Sequence, residues 1–284
     1  MNDTELMKII RDAIAQATGD DKAVSKCVCD GEVEDISAYS LRDEFNIPNP
    51  YNKEEYMRIK SKTDARLGVW RCGPRPLTRT TLRVRADNAA AMDAVFNDVH
   101  DEYLERNNLK CYTTKCKDKE EYLTRPDLGR IFDDETAAQI KKDCINDPDI
   151  QIVVSDGLSS SAVEANIDAV LPAIYNGLKS TGLKVGTPFF VKYGRVGAED
   201  SIAKILNAKV TVILLGERPG LATSSSLSAY CVYGGYPGIP EANRTVVSNI
   251  HKAGTPPIEA GAYIAELCQI MFNKKASGLD LKAE

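Results

Sequence analysis

Residues 209–220 read Lys-Val-Thr-Val-Ile-Leu-Leu-Gly-Glu-Arg-Pro-Gly, a β-branched apolar run that stops at Gly216 and passes into a glycine-framed turn. A strand this continuously hydrophobic has no face for water, so it belongs inside a sheet covered on both sides. Turns of this build usually bring bare backbone N–H groups to a phosphate. Here the turn carries Glu217, a carboxylate that repels phosphate, so a ligand at this strand end must want an acceptor.

Working outward, the same pattern recurs. Gln151-Ile-Val-Val-Ser-Asp156 is a second apolar strand, with Ser159 to Ser161 placed to cap a helix that runs to Gly182. Thr187 to Gly194 is a third strand, followed by a helix from Ala198 to Asn207. Beyond the opening stretch, Ser224 to Ser226 predict the cap of another helix, and Asn243 to Ile250 is β-like. Pro256-Pro257 opens a last long helix through Met271 that ends near Gly278. Buried strands alternating with helices predict an α/β domain over residues 146–284, with a doubly wound, mostly parallel sheet. Ligands of such sheets bind outside the carboxyl ends of the strands. That rule gathers the turns 155–159, 193–196 and 216–220, whose polar content is Asp156, Arg195, Glu217 and Arg218, with Asn249 on the rim.

The preceding part differs. Residues 53–145 predict a mostly helical region containing the basic segment Arg71–Arg85, which suits phosphates, an acidic partner surface or simply a solvated helix face. Residues 21–52 predict a linker. Residues 1–20 carry Leu6, Ile9, Ile10, Ala13, Ile14 and Ala17 at helical spacing, an amphipathic helix that either docks on the body or serves as a handle for another protein.

Composition narrows the function classes. With 284 residues, 43% hydrophobic, 27% charged and a net charge of −5, the chain has the profile of a soluble globular protein and not of a general nucleic-acid binder. No apolar run approaches the roughly 18 residues of a membrane span, and no signal-peptide pattern opens the chain, which predicts a cytoplasmic protein. The eight cysteines are then expected as free thiols, and neither Cys27/Cys29 nor Cys111/Cys116 has zinc-site spacing. Neither G-x-G-x-x-G nor the P-loop signature is present, and Gly157-Leu-Ser-Ser-Ser161 lacks the second glycine of a nucleophile elbow. A Ser-His-Asp set would have to use His100 or His251, the only histidines, and no complete catalytic set emerges.

Several strings together identify a family. LTRPDLGR (123–130), VVSDGLS (153–159), GLKVGTPFFVKYGRV (182–196), LLGERPGL (214–221), NRTVVSNIHKAGTPP (243–257) and KKASGLDL (274–281), with GPRPLTRTTLR (73–83), closely resemble the small (light) subunit of ethanolamine ammonia-lyases over roughly residues 60–284. The resemblance implies a Rossmann-like domain that covers adenosylcobalamin against a large barrel subunit, in a hexamer of large–small pairs. That assembly converts ethanolamine to acetaldehyde and ammonia, and the large subunit holds the substrate and the catalytic residues. None is therefore expected in this chain. The family's cofactor contacts map onto Val196, Glu217 and Val246, the last a position where relatives commonly carry cysteine. Arg195 and Asp156 join them on position alone. Asp98-Val-His100-Asp-Glu-Tyr103 lacks the glycine of the motif that supplies a histidine to cobalt and lies outside a strand end, so the cofactor is expected base-on. The N-terminal helix resembles those that carry enzymes into bacterial microcompartments, which implies the shell as a second partner and the compartment as the location. Alternatively, the chain is an accessory scaffold that brings the large subunit there.

Overall fold

The alternation of apolar runs and amphipathic segments produces a six-stranded mixed α/β sheet with helices on both faces in the computed structural model, which describes residues 35–282 apart from 64 and 222. The expected helix over residues 1–20 lies outside the described residues. The chain divides into Met1–Ser40 and Leu41–Glu284, and every element discussed below belongs to the second unit.

The order begins with α1 (Lys53–Lys60), a short hairpin of β1 (Arg71–Cys72) and β2 (Arg75–Pro76), α2 (Thr78–Phe96) and α3 (Asp101–Arg106). It continues with β3 (Lys110–Thr113), α4 (Lys119–Thr124), α5 (Asp134–Asp143), β4 (Ile150–Ser155), α6 (Ser160–Leu178), β5 (Phe189–Lys192) and α7 (Ala198–Leu206). The last elements are β6 (Val210–Gly216), β7 (Leu227–Tyr233), β8 (Thr245–Ile250) and α8 (Pro257–Lys274). Local chemistry explains several boundaries. Ser159 caps α6 by accepting the N–H of Ala162, and Pro257 occupies the first turn of α8, where no N–H partner is needed. Asn207 and Lys275 end α7 and α8 in the left-handed conformation.

The sheet order is β3-β5-β4-β6-β7-β8. Strands β3, β5, β4 and β6 run parallel, whereas β7 is antiparallel to β6 and β8 antiparallel to β7. The chain leaves β4 for β5 on one side and returns to β6 on the other, so the strand order reverses at β4. On one face Ile150, Ile152, Val154, Val212 and Leu214 pack under α6 and α8. On the other, Val153, Phe189, Val191, Ile213 and Leu215 pack under Ala198, Ile202 and Leu206 of α7 and Ile140 of α5. Gly177 and Gly261 let α6 and α8 approach closely, since a Cβ on Gly261 would stand 2.6 Å from that of Ala173. Among the described residues, no helix is long and apolar enough to cross a membrane.

One expectation is corrected. Ser224 to Ser226 do not start a helix, because β7 follows them. The hydroxyls of Ser159 and Ser161 donate to the Ser224 carbonyl (2.6 and 3.1 Å), and the Asn166 amide donates to that of Ser225 (2.8 Å), so these serines cover the start of α6. The region 53–145, mostly helical in its ordered elements, also contributes β3, which forms one edge of the main sheet, paired with β5.

Candidate functional site

The crevice between the carboxyl ends of β4 and β6 is where strand order reverses, and backbone fills it. The Leu158 N–H donates to the Gly216 carbonyl at 2.9 Å. A Cβ on Gly157 would lie 2.4 Å from the Gly216 oxygen, and one on Gly216 would lie 2.2 Å from that of Ser159. Gly157 also holds a φ of +51°, so both positions exclude any side chain.

Beside this seal, Asp156 is buried and faces inward. Its carboxylate accepts the Tyr193 N–H (2.8 Å) and pairs with the Lys119 ammonium (3.3 Å). Burial pushes the Asp156 carboxyl above its ordinary range, while Lys119 and the Tyr193 N–H oppose that push. Tyr193 sits at φ +61°, a conformation that a tyrosine holds only where its surroundings fix it. The Ser155 hydroxyl adds to the fixing, donating to the Val191 carbonyl (2.7 Å) and accepting the Gly194 N–H (3.1 Å).

Arg195 also turns to the protein. Its guanidinium donates to the Tyr122 carbonyl (2.8 Å) and lies 4.2 Å from the centre of the Tyr122 ring, and its backbone N–H donates to Gly129 (2.8 Å). The string 123–130 and the turn 193–196 are therefore two halves of one packed unit. Asp156 and Arg195 shape the turn and present little charge to solvent.

Val196, Glu217 and Val246 form a second group. Val196, just before α7, packs on the cluster beneath that helix, as does Tyr230 of β7. Tyr230 pairs with Ile213 on one side and Val246 on the other, so all three side chains share that face. The Tyr230 hydroxyl donates to Glu217 Oε1 at 2.7 Å. Burial and then this bond to a carboxylate push the phenol well above its ordinary range, so Tyr230 keeps its proton and fixes Glu217 as an acceptor. Among the described residues no hydrogen bond engages the second oxygen of Glu217. Val246 stands 46% exposed, which leaves this shelf open on the side away from the chain. A cleft of about 430 Å³ between α5 and α7, lined by Phe132, Lys141, Lys204 and Ile205 among others, includes none of these residues.

The structure thus brings Val196, Glu217 and Val246 onto one face and sets Asp156 and Arg195 beneath the adjoining turn. Tyr230 was not singled out from the sequence, although reading 227–233 as a strand would have placed it between Ile213 and Val246. His100 stands at the start of α3 with its Nδ1 2.7 Å from Glu164, away from any strand end. Chemically, the shelf offers an acceptor carboxylate framed by aliphatic surface, suited to amide N–H groups and hydroxyls on a large, partly apolar ligand.

The chain is similar to known proteins over nearly its whole length. Residues 53–282 match the family model described as ethanolamine ammonia-lyase light chain (EutC). The chain is 52% identical to the ethanolamine ammonia-lyase small subunit of Fusobacterium nucleatum over 94% of its length and 91% of the relative's. It is 48% identical to the small subunit of Clostridium perfringens and 46% identical to that of Listeria monocytogenes, in each case over 99% of this chain and 100% of the relative.

Proposed function

The chain belongs to the ethanolamine ammonia-lyase light-chain family, and from that premise we propose that it clamps adenosylcobalamin against a large catalytic subunit. The observation that carries the proposal is the Glu217 carboxylate, held by Tyr230 with its second oxygen unbonded among the described residues, between aliphatic Val196 and exposed Val246. Cobalamin is rimmed by carboxamides and carries ribose hydroxyls, so an acceptor framed by apolar surface fits it better than a phosphate-type site would. Valine at 246 supplies van der Waals contact and backbone groups. When bound, the cofactor supplies radical chemistry by homolysis of its cobalt–carbon bond.

This chain's own part is to bind, orient and exclude water. Glu217 accepts hydrogen bonds from the periphery of the group, Val196 and Val246 cover apolar surface, and the Asp156–Lys119 pair keeps the 193–196 turn in place. The open shelf leaves the opposite side of the ligand to the large subunit. No catalytic residue is assigned here, and activity is expected only with both chains. The stripe of Leu6, Ile9, Ile10 and Ile14 supports a role for the N-terminus as a handle for a microcompartment shell. Its test is retention of activity with loss of encapsulation after deletion of residues 1–20.

The central test is cofactor binding by the two-chain complex. Glu217→Ala is expected to raise the Kd for adenosylcobalamin about tenfold, the worth of one hydrogen bond to a charged group. An unchanged Kd would remove Glu217 from the cofactor and with it the main support for the clamp.

A further inference from the structure

Arg244, immediately before β8, is 2% exposed at its side chain and engages three carboxylates. Its Nε donates to Glu199 Oε1 at 2.7 Å, Nη2 to Asp200 Oδ2 at short range and Nη1 to Glu241 Oε2 at 2.7 Å. Glu199 and Asp200 lie in the first turn of α7, whose capping residue is Gly197 and makes no side-chain cap bond. The Glu199 N–H donates to the carbonyl of Val196. The guanidinium therefore joins the two margins of the shelf: Val196 precedes α7, and Val246 lies two residues beyond Arg244.

Such a cluster is a poor way to gain stability. One cation faces three carboxyl groups, and Glu199 Oε2 and Asp200 Oδ1 have no hydrogen-bond partner among the described residues. Well-packed apolar side chains in the same space usually do as well or better. What the cluster supplies is geometry. β8 is an edge strand whose ladder to β7 shifts register between Leu227 and Ala229, so pairing alone holds it loosely. The bonds from Arg244 set the distance between β8 and the start of α7 directly, with a planar fork that permits little adjustment.

We infer that Arg244 is a positioning residue for the cofactor shelf, holding the strand of Val246 and the turn of Val196 at the separation that the ligand requires. The inference rests on the proposed cofactor reading, and a direct comparison separates the two. The complex with the large subunit is prepared with Arg244→Lys and with the triple replacement Glu199→Leu, Asp200→Asn, Arg244→Met, which leaves no buried cation behind. Glu217→Ala serves as reference. Adenosylcobalamin Kd is read by equilibrium dialysis, together with kcat at saturating cofactor and the thermal unfolding midpoint.

The expected result is a Kd raised about tenfold in the triple variant and by a smaller factor in Arg244→Lys, with kcat at saturation unchanged and the unfolding midpoint of the triple variant not lowered. A Kd unchanged in either folded clamp variant, while Glu217→Ala raises it, overturns the positioning role and leaves the cofactor reading standing. A Kd unchanged in all three variants overturns both.

Discussion

Glu199 offers a prediction whose size follows from its surroundings. Its side chain is fully buried, and burial pushes the carboxyl from 4.5 to about 8, against the pull of Arg244 and with further upward pushes from Asp200 and Glu241. Tyr230 of β7 lies on the same face of the sheet as the start of α7 and also feels this group. The sign is set by proton counting. Between pH 4.5 and 8 the unfolded chain has released this proton and the folded chain still holds it, so stability falls as pH rises through that window and levels off above it. The full displacement corresponds to up to about 5 kcal/mol withheld from the folded state above pH 8. Glu199→Gln keeps the acceptor toward Arg244 and cannot ionise. The variant is therefore expected to match the parent near pH 4.5 and to become progressively more stable than the parent up to pH 8. Urea unfolding followed by far-ultraviolet circular dichroism at half-unit pH steps measures the divergence. Parallel curves for parent and variant across the window would refute the claim that this carboxyl holds its proton.

Other substitutions probe the neighbouring features. Gly216→Ala drives a methyl into the carbonyls of Ser159 and Asp156, and the loss is expected at about 3 kcal/mol or more, read as a lowered unfolding midpoint. Asp156→Ala leaves the Lys119 ammonium buried without its partner and is expected to cost about 3–5 kcal/mol by urea unfolding. Tyr230→Phe removes one hydrogen bond, so stability should fall by about 1 kcal/mol, and the cofactor Kd should rise severalfold as Glu217 loses its fixed orientation.

The strands that residues 209–216, 151–156 and 187–194 announce are all present, because a buried parallel strand writes itself as an unbroken apolar run. β3 could not be read that way. Lys-Cys-Tyr-Thr is four residues long, half exposed and held at the sheet edge by pairing to β5, a long-range partner with no local trace. β7 was misread because three serines carry a strong capping signal, and nothing local reveals that α6 receives their carbonyls instead. At the site, Glu217 stood out as an acid in a turn built for anions. The inward orientation of Asp156 and Arg195 depends on Lys119 and Tyr122, 37 and 73 residues away in sequence, and no periodicity could convey it.

The sealing of the crevice between β4 and β6 by Gly157 and Gly216 has a wider meaning. A parallel sheet that ends in an open cleft can swallow a small molecule on its own. Here the cleft is welded shut by main chain, and the antiparallel pair β7–β8 prolongs the sheet into an apron beyond it. An apron touches its ligand from one side only and grips little by itself. On the clamp proposed above, such a surface is half of a vice, and its holding power belongs to the pair of jaws.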